Sequence, residues 1–151
     1  MEKQSNQKNE SPIVVRQGRF DDLGIYYRLT NRDLSEIHKR PCEISDFSKQ
    51  VVERDLGSRR LYFGIGQLKG DDVGYWKGEP DEINSNIVFF GGGIYVLPEF
   101  RNQGVGKALK QHQMDFAKSQ GYSHLRTIID NDNIPSLKIS SGIGAVLESK
   151  G

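Results

Sequence analysis

The sequence predicts an α/β domain in which strands alternate with about four helices around one core, over residues 12–151. Three observations predict it. Ile87–Val96 is an apolar, glycine-rich run without a charge, as suits a strand buried on both faces, and Gly91, Gly92 and Gly93 allow a bulge or a close backbone approach within it. Pro98 ends that strand, because it has no N–H for a ladder, and the inner positions Val105, Ala108, Leu109, His112, Phe116 and Ala117 then recur at helical spacing from Gly104 to Gln120, with Gly121 as cap. A length of 151 residues suits a single core.

The other elements follow from breakers and caps. Residues 1–11 hold no aliphatic side chain after Met1 and are expected to form a disordered leader. Ile13–Arg16 reads as a first strand. Asp21 and Asp22 signal a helix start, and Leu23, Ile25, Tyr26, Tyr27 and Leu29 supply that helix with apolar content. After Pro41 a second helix runs from Ser45 or Asp46, with Phe47, Val51, Val52 and Leu56, to Gly57. Leu61–Leu68 and Val73–Trp76 form a hairpin about the turn Lys69-Gly70-Asp71-Asp72, and residues 77–86 read as a polar loop. His124–Asp130 is a further strand, Pro135 opens a short helix to Ser141, and Gly144–Glu148 begins a last strand.

A strand that passes through glycines into a helix N-terminus makes an anion site. The first-turn N–H groups have no intrahelical partner, the helix dipole adds about +0.5 charge, and glycine at 104 and 106 removes the β-carbons that would hold a phosphate away. A bare GxG also occurs at ordinary helix starts. Walker A is excluded, since Arg101 stands where its first glycine belongs and Ala108 follows Lys107. The dinucleotide fingerprint is excluded by Leu109 at its third small position.

The pattern Val96-x-Pro98-x-x-Arg101-x-x-Gly104-x-Gly106-x-x-Leu109 resembles the acyl-CoA loop of the GNAT superfamily of N-acetyltransferases, and the order of elements matches that family from Ile13 onward. The resemblance implies a mixed, mostly antiparallel sheet, here lacking the family's last strand; the uncovered edge would favour a homodimer. It implies acetyl-CoA as cosubstrate, with its pyrophosphate on the backbone of Arg101, Asn102, Gln103, Gly104, Val105, Gly106 and Lys107. The pantetheine arm would lie on Ile94, Tyr95 and Val96, and Asn133 and Ser136, from Asn133-Ile134-Pro135-Ser136, would also touch the CoA arm. Two positions depart from the family. Ile128 stands where a glutamate base is usual, which leaves Asp130, two residues on, as the candidate base; capping of the turn Asp130-Asn131-Asp132-Asn133 is its alternative role. Ser140 stands where a tyrosine acid is usual; its O–H is a poor acid, so it is expected to offer the departing sulfur a hydrogen bond while water carries the proton. Tyr95 offers a phenol nearby or packs in the core.

Composition narrows the partners. Lys plus Arg total 21 against 20 for Asp plus Glu, which gives no electrostatic reason to expect nucleic acid or a membrane surface. Cys42 is the single cysteine, no apolar run approaches a membrane span, and the polar N-terminus is unlike a signal peptide, so a cytoplasmic protein is expected. His38, His124 and Cys42 have no metal-ligand spacing, and no metal is expected. His112 reads as packed rather than catalytic, and Trp76 as hairpin packing, with a wall of the acceptor site as its alternative. Asp71, Asp72, Glu79, Asp81 and Glu82 against Lys69 and Lys77 make an acidic stretch that would draw a cationic amine, or simply a solvated one. The expected activity is acetyl transfer to a primary amine, small or on a peptide or protein, by direct attack in a ternary complex. The alternative is a non-catalytic acyl-CoA-binding or interaction protein on the same fold.

Overall fold

The computed structural model describes residues 12–83 and 86–127. Their strands form one sheet in the order β1 (Ile13–Gln17), β2 (Tyr62–Leu68), β3 (Asp71–Ile83), β4 (Asn86–Val96) and β5 (Leu125–Arg126). The first four are antiparallel neighbours, and β5 runs parallel to β4 through Phe89↔Leu125 and Phe90↔Arg126. A parallel return needs a crossover, which α3 (Val105–Ser119) supplies. The sheet is therefore mixed and mostly antiparallel.

Alternation along the strands sends side chains to two cores. On one face α1 (Leu23–His38) lays Leu23, Tyr26 and Leu29 on Phe63, Ile65, Tyr75, Tyr95 and Leu97. On the other face α3 lays Val105, Leu109, Phe116 and Ala117 on Leu68, Val73, Trp76 and Phe89. Glycine makes room where the largest ring sits: a Cβ at Gly64 would lie 2.0 Å from Trp76 Nε1. The helix α2 (Asp46–Gly57) starts at Ser45, whose hydroxyl accepts from the Ser48 N–H, and it buries no residue.

Several expectations change. A 3-10 turn, Phe20–Asp22, precedes the first helix, because Asp22 caps the turn by accepting from the Arg19 N–H at 2.9 Å. Ile87 is 67 % exposed, so the central strand is not buried on both faces along its whole length. Residues 77–86, expected to be a polar loop, mostly continue the hairpin: β3 extends to Ile83, paired with β4 as far as Ile83↔Asn86. Polar composition argued for a loop, but pairing with the apolar start of β4 overrides it.

Pro80 is tolerated within β3 for a geometric reason. The Phe89 N–H donates to His124 O at 3.1 Å, on the β5 side. The Pro80↔Phe89 pair is therefore a non-hydrogen-bonded one, and the Pro80 nitrogen points away from β4. It points to the side that β2 has already left, since the β2 pairing ends at Tyr62↔Gly78.

Candidate active site

The loop after β4 is built by turns. Pro98–Phe100 forms a 3-10 turn, closed by Phe100 N–H to Leu97 O at 2.9 Å and Arg101 N–H to Pro98 O at 3.3 Å. Asn102 (φ 64°) and Gly104 (φ 90°) are both left-handed, so the backbone winds tightly before α3 begins at Val105. Ala108 N–H reaches Gly104 O at 3.1 Å, which leaves the amides of Val105, Gly106 and Lys107 ahead of the first helical bond. Asn102, Gln103, Gly104 and Lys107 are exposed, Gly106 is half-buried, and Val105 is buried beneath them. A Cβ at Gly104 would be left-handed and would meet Ile13 Cδ1 at 3.5 Å.

The Arg101 side chain turns back from this loop. Its Nε donates to Val96 O at 2.9 Å, and its guanidinium grips the Glu36 carboxylate of α1 at 2.9 Å, holding it below the usual carboxylate range. The guanidinium also lies 5.7 Å from the centre of the Tyr95 ring. The Tyr95 hydroxyl donates to Glu36 Oε2 at 3.1 Å, and burial followed by Glu36 pushes it up to about 12. Tyr95 is thus core on the α1 face. Next to it Tyr75 donates to Asp33 Oδ2 at 2.7 Å, and burial pushes the Asp33 carboxyl up against that bond.

Upstream, β4 bulges. The register with β3 passes from Trp76↔Ile94 to Gly78↔Gly91, so Gly92 and Gly93 together oppose Lys77. Among the described residues β5 pairs with β4 only at Phe89 and Phe90, so the stretch from Gly91 to Val96 is not paired by β5 there. The α3 side of the bulge carries two buried polar side chains. Gln113, fully buried, donates from Nε2 to Lys77 O at 2.8 Å, with Gly92 O at 3.5 Å, and its Oε1 accepts from Lys110 Nζ at 2.9 Å. Lys110 is 4 % exposed, and burial pushes its ammonium down to about 8. On the α1 side lies a cavity of about 190 Å³ lined by Tyr26, Val52, Asp55, Lys77, Glu79 and Gly92, among others.

Of the residues singled out in the sequence, the structure brings Ile94 to Lys107 onto one strand end and its loop. Asp130, Asn133, Ser136 and Ser140 lie outside the described residues. Trp76 is not an acceptor wall: it is fully buried on the α3 face, with Nε1 donating to His112 Nδ1 at 3.0 Å. Among the described residues no three His, Cys, Asp or Glu side chains gather as a metal set, and no helix is long and apolar enough to cross a membrane. Sequence reasoning missed Lys110 and Gln113, although Gln113 falls on the stripe of Val105, Leu109 and Phe116; it also missed Asp33 and Glu36, for which spacing carries no signal.

A model of the acetyltransferase (GNAT) family matches residues 26–139. The chain belongs to the GNAT acetyltransferase family. The match takes in the bulged strand, the glycine loop and α3, and solved GNAT structures share the fold. An aminoglycoside acetyltransferase from an uncultured soil metagenomic sample, in complex with trehalose, superposes at a TM-score of 0.77 with 16 % identity, covering 92 % of this chain and 91 % of that one. The aminoglycoside acetyltransferase AAC(6')-Iy, in complex with a CoA-based bisubstrate analogue, gives 0.77 with 23 % identity over 93 % and 95 %. A ribosomal-protein-alanine N-acetyltransferase from Brucella melitensis biovar Abortus 2308 gives 0.68 with 18 % identity over 92 % and 96 %. At these identities the GNAT likeness is one of fold.

Proposed function

We propose that this GNAT protein transfers an acetyl group from acetyl-CoA to a primary amine by direct attack while both are bound. The observation that carries the proposal is the joining of a glycine-wound helix N-terminus to a β4 edge that opens at a bulge. The loop fits a pyrophosphate: the amides from Asn102 to Lys107 lie at the positive end of α3, and Gly104 keeps a β-carbon out of their way. Arg101 contributes by anchoring, since its own amide and side chain are engaged elsewhere. The pantetheine amides would pair with the main chain of Ile94, Tyr95 and Val96, and Asn133 and Ser136 would also touch the CoA arm. CoA supplies the activated thioester; the chain supplies its position.

The acceptor enters from the opposite face. The cavity at Gly92 carries Glu79 and Asp55 against Lys77, a net negative balance that favours an alkylammonium over an anion. That ammonium, with a pKa of about 10.4, must lose a proton before its nitrogen attacks. Asp130 is the candidate base, and Ser140 would offer the sulfur a hydrogen bond. Cys42 lies in the α1–α2 connection, with its N–H on Ser35 Oγ at 2.8 Å, and takes no covalent part. The similarity to aminoglycoside acetyltransferases and to a ribosomal-protein-alanine N-acetyltransferase makes those amines the first to try, alongside polyamines, in a cytoplasmic setting.

The test is free-thiol release from acetyl-CoA against a panel of amines, with CoA binding followed by calorimetry. Gly106→Glu adds bulk and negative charge to the loop, so CoA affinity should fall by about tenfold or more while the far-ultraviolet spectrum stays unchanged. Unchanged affinity in the folded variant would refute the loop assignment. Tight CoA binding with no turnover on any amine would favour a CoA-binding protein without catalysis.

A further inference from the structure

We propose that Lys110, held at the β4 bulge by Gln113, delivers the proton that the departing CoA sulfur needs. The proposal rests on the acetyl-CoA reading above. The pantetheine arm has about a dozen chain bonds, the length of roughly four residues of extended backbone. Laid along β4 from the loop at Val96, such an arm ends beside Gly92, at the bulge. There the Gln113 amide faces the Lys77 and Gly92 carbonyls, and Lys110 Nζ sits 2.9 Å behind it on Gln113 Oε1. Gly91 permits the approach, since a Cβ there would lie 2.8 Å from Gln113 Oε1. An ammonium buried at this depth is costly unless a polar group meets it, and Gln113 Oε1 does so, holding Lys110 at the bulge.

The chemistry balances. As the amine nitrogen bonds to the thioester carbon and the C–S bond breaks, the sulfur takes the electron pair. A Nζ–H bond of Lys110 then breaks and an S–H bond forms, leaving a neutral lysine that regains a proton from solvent, to which Asp130 passes on the acceptor's proton. Burial pushes the Lys110 ammonium down towards the range of an ordinary thiol, which matches it to give a proton to the departing sulfur. Lys110 Nζ meets Gln113 Oε1, and Gln113 in turn lies against Gly91 of β4 and the Lys77 carbonyl of β3, all uncharged groups. One turn away on α3 stand Gly106, Gln113, Met114 and the exposed Lys107. The donor matters here because serine, a poor acid, occupies position 140.

The test reads the sulfur directly. Thiolate absorbance of bound CoA should show the thiol ionising at lower pH in the wild-type protein than in Lys110→Met, by about a tenfold change in ionisation constant. Lys110→Arg should keep that effect, because it keeps the charge, yet turn over as slowly as Lys110→Met, roughly a hundredfold below wild type, because arginine does not release a proton. The wild-type kcat should fall as pH rises through the Lys110 titration, and both variants should lose that limb. In the wild-type chain, lysine side-chain NMR should show Lys110 shifting with CoA and not with desulfo-CoA, an arm that needs no variant to fold. If CoA fails to bind, the acetyl-CoA reading falls. If CoA binds but its thiol titrates alike in wild type and Lys110→Met, or Lys110 responds equally to desulfo-CoA, Lys110 is a packing residue and the proposal is overturned.

Discussion

Trp76 and His112 form a polar contact inside an apolar face. The indole N–H has one acceptor, His112 Nδ1, which fixes the proton of the neutral imidazole on Nε2. Burial holds His112 below its ordinary value of about 6.5, so the fold favours the neutral ring. The unfolded chain then binds more protons than the native one between the two values. The stabilisation is fully present above about 6.5 and is lost as pH falls through the lower native value. Denaturant midpoints followed by Trp76 fluorescence should therefore drop between pH 7.5 and 5, and His112→Gln should flatten that drop. A variant with the same pH dependence as wild type would assign it to other groups. The two residues also mark what spacing can and cannot convey: His112 fell on the inner helical stripe in the sequence, whereas its bond to Trp76 joins elements 36 residues apart.

The helices differ in how firmly they are seated. α3 buries six residues and α1 three, whereas α2 buries none and meets α1 through Tyr27, whose hydroxyl is 3.3 Å from Lys49 O and Glu53 Oε2. Stability is local, and an element with little buried apolar contact opens first. Hydrogen exchange should be faster across residues 46–57 than across 105–119, with the α2 amides exchanging well before global unfolding. Equal protection of the two helices would contradict this. α2 was legible from its cap and breaker, because Ser45, Asp46 and Gly57 act locally. The far half of β3 was not, because Lys77, Glu79, Pro80 and Asp81 become strand only through their partner. The turn into α3 was legible at Gly104, which answers a backbone demand that few side chains meet, whereas the left-handed Asn102 was not read from the sequence. The buried pair Lys110 and Gln113 was hidden by composition, which assigns such residues to solvent.

Across the whole molecule the sheet divides the labour between its faces. α3 belongs to one core and the cavity with Asp55 and Glu79 lies on the other face, with Gly92 of the bulge in its lining. Substitutions on opposite faces should then separate kinetically. Glu79→Gln should raise the KM for a cationic amine several-fold, as expected for one screened charge, and leave CoA affinity by calorimetry unchanged. A parallel loss of CoA affinity would mean that the faces are not independent. The far end of the sheet carries a different consequence. Beyond Gly78, β3 runs on without β2 among the described residues, and a strand flank left unpaired by its neighbour invites a stray chain to zip onto it. At Pro80 the outward nitrogen has no hydrogen to offer, and Glu79 and Asp81 beside it carry like charges. The overhang thereby guards itself against aggregation: its ladder is broken at the position where a second chain would have to take hold.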